Sequence, residues 1–340
     1  MQSVKERYSA AAFEREDALC CPVDYDPKYL KIIPQEVLDR DYGCGDPSTY
    51  VRSGETVLDL GAGGGKICFI AAQIVGPEGK VIGVDVNDDM LELSRSAQPT
   101  VAEQLGYDNI EFRHGRIQDL KTDLDALDHW LSARPAKSAA DYKDLEAHLA
   151  TSRQTQPLIA NDSIDVVVSN CVLNLVSDEE KPQLFREIFR VLKPGGRIAI
   201  SDIVSDKGSP EHLKNDPDLW SGCISGALTE KGFADALSEV GFAGVRLDKL
   251  EQTPWQVVED IEYRSATYVA HKPALATSDE EELNVIYTGP WEQVTDETGR
   301  TYGRGARTKV SGSDANRLRS GAYAGHFVIF GEEHDGNSCC

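Results

Sequence analysis

Residues 166–176 read VVVSNCVLNLV, an apolar run that ends in Asn170 and Cys171 before a second apolar run begins. A strand wanted only for its core has no use for a thiol at its end. The thiol offers two kinds of chemistry: ligation of a soft centre and disulfide exchange. Eight cysteines occur, at positions 20, 21, 44, 68, 171, 223, 339 and 340. No C-x-x-C pair is among them, so a structural zinc site is not indicated. Cys68, inside ICFIAA, reads as an ordinary core residue. A second chemical stretch is VLDLGAGGGK (57–66), with Asp59 ahead of Gly61, Gly63 and Gly65. Glycines there let the backbone approach a ligand closely. Asp85 follows Gly65 by twenty residues. A carboxylate at that spacing can accept both hydroxyls of a ribose.

The elements that must position these groups alternate. TVLDL, VIGVD, IEFRH, DVVVSN and RIAISD read as buried strands, with amphipathic helical stretches between them. Such alternation predicts βαβ units and a mostly parallel sheet covered on both faces. VRLDKLE and IEYRSATYVAHK add strands, giving an α/β fold of about seven strands with an antiparallel pair at one end. Residues 1–55 read as a helical cap, 56–273 as the main domain, and 274–340 as a small C-terminal module with a tail. A polar, helical insertion at 119–158 exceeds an ordinary strand-to-helix connection.

Bulk properties narrow the partners. The net charge is −22, from 57 acidic and 35 basic residues. Phosphate backbones and anionic lipid surfaces are repelled, so nucleic acid and membrane partners are not expected. No stretch reaches the ~18 apolar residues of a membrane span, and the N-terminus carries no secretory h-region. A cytoplasmic location with reduced thiols is the expectation. A neutral or cationic small ligand remains acceptable.

A dinucleotide fingerprint would need glycine where Lys66 stands. The G-x-G-x-G spacing after Asp59-Leu60 instead resembles the first motif of class I S-adenosylmethionine-dependent methyltransferases, and LKPGGRIAISD (192–202) resembles a later one, with a sharp turn at Pro194 and its glycines. By that resemblance the fold is Rossmann-like and the cofactor is S-adenosylmethionine. Asp59 then lies near its sulfonium and amino groups, Asp85 at the ribose, and Ile117 and Gln118 against the adenine, with Val86 and Asn170 also in the cofactor site.

YGCG, SNCVLNLV and LWSGCISGAL together resemble the three cysteine motifs of arsenite methyltransferases. The resemblance covers roughly residues 1–273. It implies methylation of trivalent arsenic held by Cys44, Cys171 and Cys223. It also makes Cys20 or Cys21 a redox relay, expected to pair with Cys44 and to be reset by thioredoxin or glutathione. The insertion at 119–158 and the LCCPVDYD surroundings depart from that family's pattern. A methyltransferase for another small acceptor, and a non-catalytic metalloid-binding protein, are the competing readings.

Overall fold

The computed structural model describes residues 2–16, 23–274, 282–319 and 323–330. Its main sheet contains β1 (Thr56–Leu60), β2 (Lys80–Asp85), β3 (Ile110–His114), β4 (Ile164–Asn170) and β5 (Leu192–Ser205). It is completed by β6 (Ala243–Leu250), β7 (Gln256–Val258) and β8 (Ile261–His271). The order is β3-β2-β1-β4-β5-β8-β6, with β7 also paired to β8. Strands β1 to β5 run parallel, while β8 is antiparallel to β5, β6 and β7. The sheet is thus mostly parallel with an antiparallel end, as the alternating runs predict. Its extra strand is the three-residue β7, whose Val257 is exposed and which carries no alternating apolar pattern a sequence could signal.

Strand residues divide between two apolar layers as the period of two requires. Leu58, Leu60, Ile82, Val84 and Val167 enter one core, and Val57, Val81, Val166 and Val168 the other. The strand order reverses between β1 and β4, leaving a crevice beyond their carboxyl ends.

The helix between β4 and β5 runs Lys181–Val191, with Pro182 in its first turn and Leu192 already paired with Ile164. The sharp turn at Pro194 lies within β5. Leu192 pairs with Ile164 and Arg197 with Val166, so residues 193–196 loop out, with Gly195 at φ 83°.

The N-terminal segment includes the helices Gln2–Phe13, Pro27–Leu30 and Gln35–Asp39. The insertion forms Leu124–Ala133 and Ala139–Thr155, neither with a buried residue. Its base is narrow: Leu158 N donates to Lys121 O and Ile159 N to Leu120 O. At the other end of the chain, Glu282–Tyr287 pairs between Arg307–Ser311 and Phe327–Phe330 over a separate core. That unit touches the main sheet through Glu297, which accepts from Gly244 N at 2.6 Å. Among the described residues, no helix is long and apolar enough to cross a membrane.

Candidate functional site

A cavity of about 760 Å³ opens at the carboxyl ends of β1, β2 and β4. The glycine loop after β1 forms its floor. Gly61, at φ 71°, brings the backbone against Val172, where an added Cβ would come within 2.4 Å of the side chain. Gly63, at φ 51°, has open space where a Cβ would stand, and its N–H donates to Asp85 Oδ2 at 2.8 Å. Asp85 Oδ1 accepts from Asn87 N at 2.8 Å, so two backbone donors fix this carboxylate at the end of β2. Burial raises the pKa of Asp85.

Asp59 is buried and also lines the cavity. Its carboxyl is pushed up to about 7, chiefly by burial, although the Cys68 thiol donates to it at 3.3 Å and favours the ionised form. Cys68 is therefore a core residue, as its sequence context suggests, with a polar duty besides. Val86, Ile117, Gln118 and Asn170 border the same cavity. Gly65 does not line it. It opens the helix Lys66–Val75 at φ 90°, where an added Cβ would meet Phe112 at 2.8 Å. Lys66 is removed from the ligand space by a 2.6 Å ion pair with Asp41.

The dimensions, the two carboxylates and the open approach at Gly63 fit S-adenosylmethionine. The acidic pair suits a cationic sulfonium, and Asp85 retains acceptor capacity for ribose hydroxyls.

Next to this cavity the fold gathers three thiols. Cys44, Cys171 and Cys223 are all buried in one cluster, and Cys171 also lines the cavity. The neighbouring Cys223 and Cys44 thiols, with burial, hold the Cys171 thiol well above its ordinary pKa. Burial raises Cys44 as well. Cys44 and Cys171 are thus held as neutral thiols, and the three cysteines are neighbours rather than a finished cage. Cys223 Sγ donates to the Cys171 carbonyl at 2.9 Å, and among the described residues no three such side chains are arranged to hold an ion as they stand. Cys171 and Cys223 share a φ of 60°, a left-handed conformation that costs non-glycine residues energy.

Each thiol arrives by a specific local device. Asn170 Oδ1 accepts from Cys44 N at 2.9 Å and Gly45 N at 3.1 Å, while its Nδ2 donates to Gly45 O and Tyr25 Oη. The residue expected at the cofactor is therefore engaged, through its whole amide, in holding the Cys44 loop. The glycines of YGCG make this approach feasible. A Cβ on Gly43 would lie 2.1 Å from Asn170 Nδ2, and one on Gly45 would lie 2.6 Å from Ser201. Ser265 Oγ donates to Cys44 O at 2.6 Å. Asn174 ties the Cys223 segment down, donating to Cys223 O at 3.1 Å, to Ile203 O and to Asp202. Burial pushes the Asp202 carboxyl up to about 7, and it also accepts from Leu173 N and Ile203 N. Tyr25, Asn174, Asp202 and Ser265 were missed by sequence reasoning. All four lie inside stretches quoted above, but nothing in those stretches marks them as partners of the thiol segments. Cys20, Cys21, Cys339 and Cys340 lie outside the described residues.

A family model described as a methyltransferase domain matches residues 51–146 and 132–254, and one described as a domain of unknown function matches 276–335. The arsenite methyltransferase of Halobacterium salinarum is 37% identical over 69% of this chain. The match spans about half of that relative's length, 52%. The arsenite methyltransferase of Aquipseudomonas alcaligenes is 30% identical, with 97% of this chain and 91% of the relative covered. The human arsenite methyltransferase is 29% identical over 88% of this chain and 73% of its own. Among solved structures, an arsenic (III) S-adenosylmethionine methyltransferase from Chlamydomonas reinhardtii superposes with a TM-score of 0.61 at 27% identity, covering 92% of this chain and 97% of that one.

Proposed function

This chain belongs to the arsenite methyltransferase family, and on that premise we propose that it methylates trivalent arsenic captured by Cys44, Cys171 and Cys223. The observation carrying this reading is the convergence of three thiols, from three distant segments, beside a cavity that fits the methyl donor. S-adenosylmethionine, when bound, supplies an electrophilic methyl on a cationic sulfonium.

The protein's contribution is capture and alignment. Arsenous acid is uncharged, so the acidic surface does not repel it. Each thiol that carries its own proton can exchange it for an arsenic hydroxyl with release of one water. Three such exchanges leave a neutral pyramidal centre and no buried charge. Soft sulfur suits a soft metalloid. Asp59 and Asp85 supply the negative potential at the cofactor end, Ile117 and Gln118 a wall for the base, and the Asn170 clamp fixes Cys44 against the cavity wall.

Methylation through the arsenic lone pair raises the formal oxidation state of arsenic by two. Two thiols closing a disulfide return two electrons and release two protons. Cys20 or Cys21 with Cys44 is the pair we assign to this relay, with thioredoxin or glutathione as the external reductant.

The test incubates purified protein with S-adenosylmethionine, a thiol reductant and arsenite, and seeks methylated arsenic by mass spectrometry. Absence of methylated product overturns the proposal. Replacing Cys20 and Cys21 together should slow arsenite turnover while sparing a trivalent, already methylated substrate. Equal losses on both substrates remove the relay.

A further inference from the structure

Tyr8 stands where the cofactor cavity meets the thiol cluster. It projects from the helix Gln2–Phe13 into the cavity wall, and its hydroxyl lies 3.8 Å from Cys223 Sγ. The other partner of that sulfur fixes the direction of this weak hydrogen bond. Cys223 has one thiol proton, and it points at the Cys171 carbonyl 2.9 Å away. The tyrosine hydroxyl is therefore the donor and the sulfur the acceptor.

The helix is anchored at this spot. Arg7 Nη1 donates to Asp218 O at 3.2 Å and Ser221 Oγ at 3.0 Å, gripping the helix Pro217–Ser221 that leads into Cys223. Tyr42 meets the Tyr8 ring edge-on at 6.3 Å and donates from its hydroxyl to Ala11 O. Toward the cofactor end, Asn87 Nδ2 donates to Ser9 Oγ at 3.1 Å.

We infer that Tyr8 is a positioning residue for arsenite capture, its hydroxyl holding the Cys223 sulfur in place as that sulfur exchanges its proton for a bond to arsenic. The inference rests on the thiol capture proposed above. In the free protein the Cys223 thiol is oriented by its own proton, toward the Cys171 carbonyl. That proton leaves with an arsenic hydroxyl as water, and the orienting bond leaves with it. The Tyr8 donor stays, and it strengthens as the sulfur gains negative character in its bond to arsenic. The ring meanwhile occupies the junction that water would otherwise enter.

Tyr8→Phe keeps the ring and removes the donor, and para-aminophenylalanine at position 8 keeps the ring and restores one. Each protein is titrated with arsenite alone, followed by the arsenic–sulfur absorption in the near ultraviolet, and with S-adenosylmethionine by calorimetry. Tyr8→Phe should weaken arsenite binding about five- to tenfold and leave S-adenosylmethionine affinity within roughly twofold, with para-aminophenylalanine recovering most of the loss. A Tyr8→Phe protein that binds arsenite like the wild type, or a loss that the restored donor does not recover, overturns the inference. If the wild type itself gives no arsenite titration, the proposed capture falls as well. If the wild type titrates and Cys223→Ser weakens it while Tyr8→Phe does not, only the role of Tyr8 is lost.

Discussion

At the residue scale, the thiols and the cavity carboxylates divide the work. A three-sulfur centre depends on every arm, because each bond after the first forms within an already bound complex. Cys171→Ser and Cys223→Ser should each lower arsenite methylation by roughly a hundredfold or more, with S-adenosylmethionine binding retained. Full activity in either variant, measured as methylated product per enzyme, removes that residue from the ligand set. Asp59 gives a pH signature. Burial first, and then the neighbouring Asp85 and Asp41, raise its carboxyl to about 7 in the folded protein, above an ordinary value near 4. The folded state therefore binds this proton more tightly, and the stability it confers at acid pH is lost as pH rises through about 7. A cationic ligand prefers the ionised carboxylate, so affinity should move the other way. S-adenosylmethionine should bind up to about tenfold more tightly at pH 8 than at pH 6, relative to Asp59→Asn measured in the same buffers. A ratio that does not change with pH contradicts the placement of Asp59 at the cofactor.

At the element scale, the site is made by strand ends and the loops fastened to them. β4 delivers Asn170 and Cys171 together, and Asn170 recruits the Cys44 loop across 126 residues of sequence. Glycine at position 43 is a condition of that clamp, since any Cβ would fall on the Asn170 amide. Gly43→Ala should cost about 1–3 kcal/mol by overpacking. It should lower Tm by several degrees and weaken arsenite binding more than S-adenosylmethionine binding. Unchanged melting and titration curves would mean that the loop has another way to seat Cys44. The strained φ of Cys171 and Cys223 belongs to the same scale. Both residues sit at turns that redirect the chain, and that geometry is held where Asn174 Nδ2 donates to Cys223 O and Asp202 accepts from Leu173 N.

At the scale of the whole molecule, the cavity is built without the insertion. No residue of 124–155 lines it, and neither insertion helix buries a residue. The chain re-enters the core where Leu158 and Ile159 bond back to Lys121 and Leu120. Replacing residues 126–154 with a short glycine-serine linker should leave S-adenosylmethionine affinity and arsenite turnover within roughly twofold, as expected when a solvent-exposed excursion is shortened. A collapse of either, in a protein that still melts cooperatively, would assign the insertion a part in the site.

Alternating apolar runs determined the parallel sheet, because buried strands and the helices between them impose distinct periods on the sequence. The glycine spacing and the carboxylates on either side of it marked the cofactor region, since close backbone approach and ribose recognition admit few residue types. The cysteine motifs marked Cys44, Cys171 and Cys223. The sequence carried no sign of how those thiols meet. Asn170, Asn174, Ser265 and Tyr8 act through contacts spanning tens to hundreds of residues, and an amide or hydroxyl that makes such a contact looks in one dimension like any other polar residue. The looped-out 193–196 and the short β7 were likewise decided by strand pairing, whose register depends on neighbours that only the folded chain supplies.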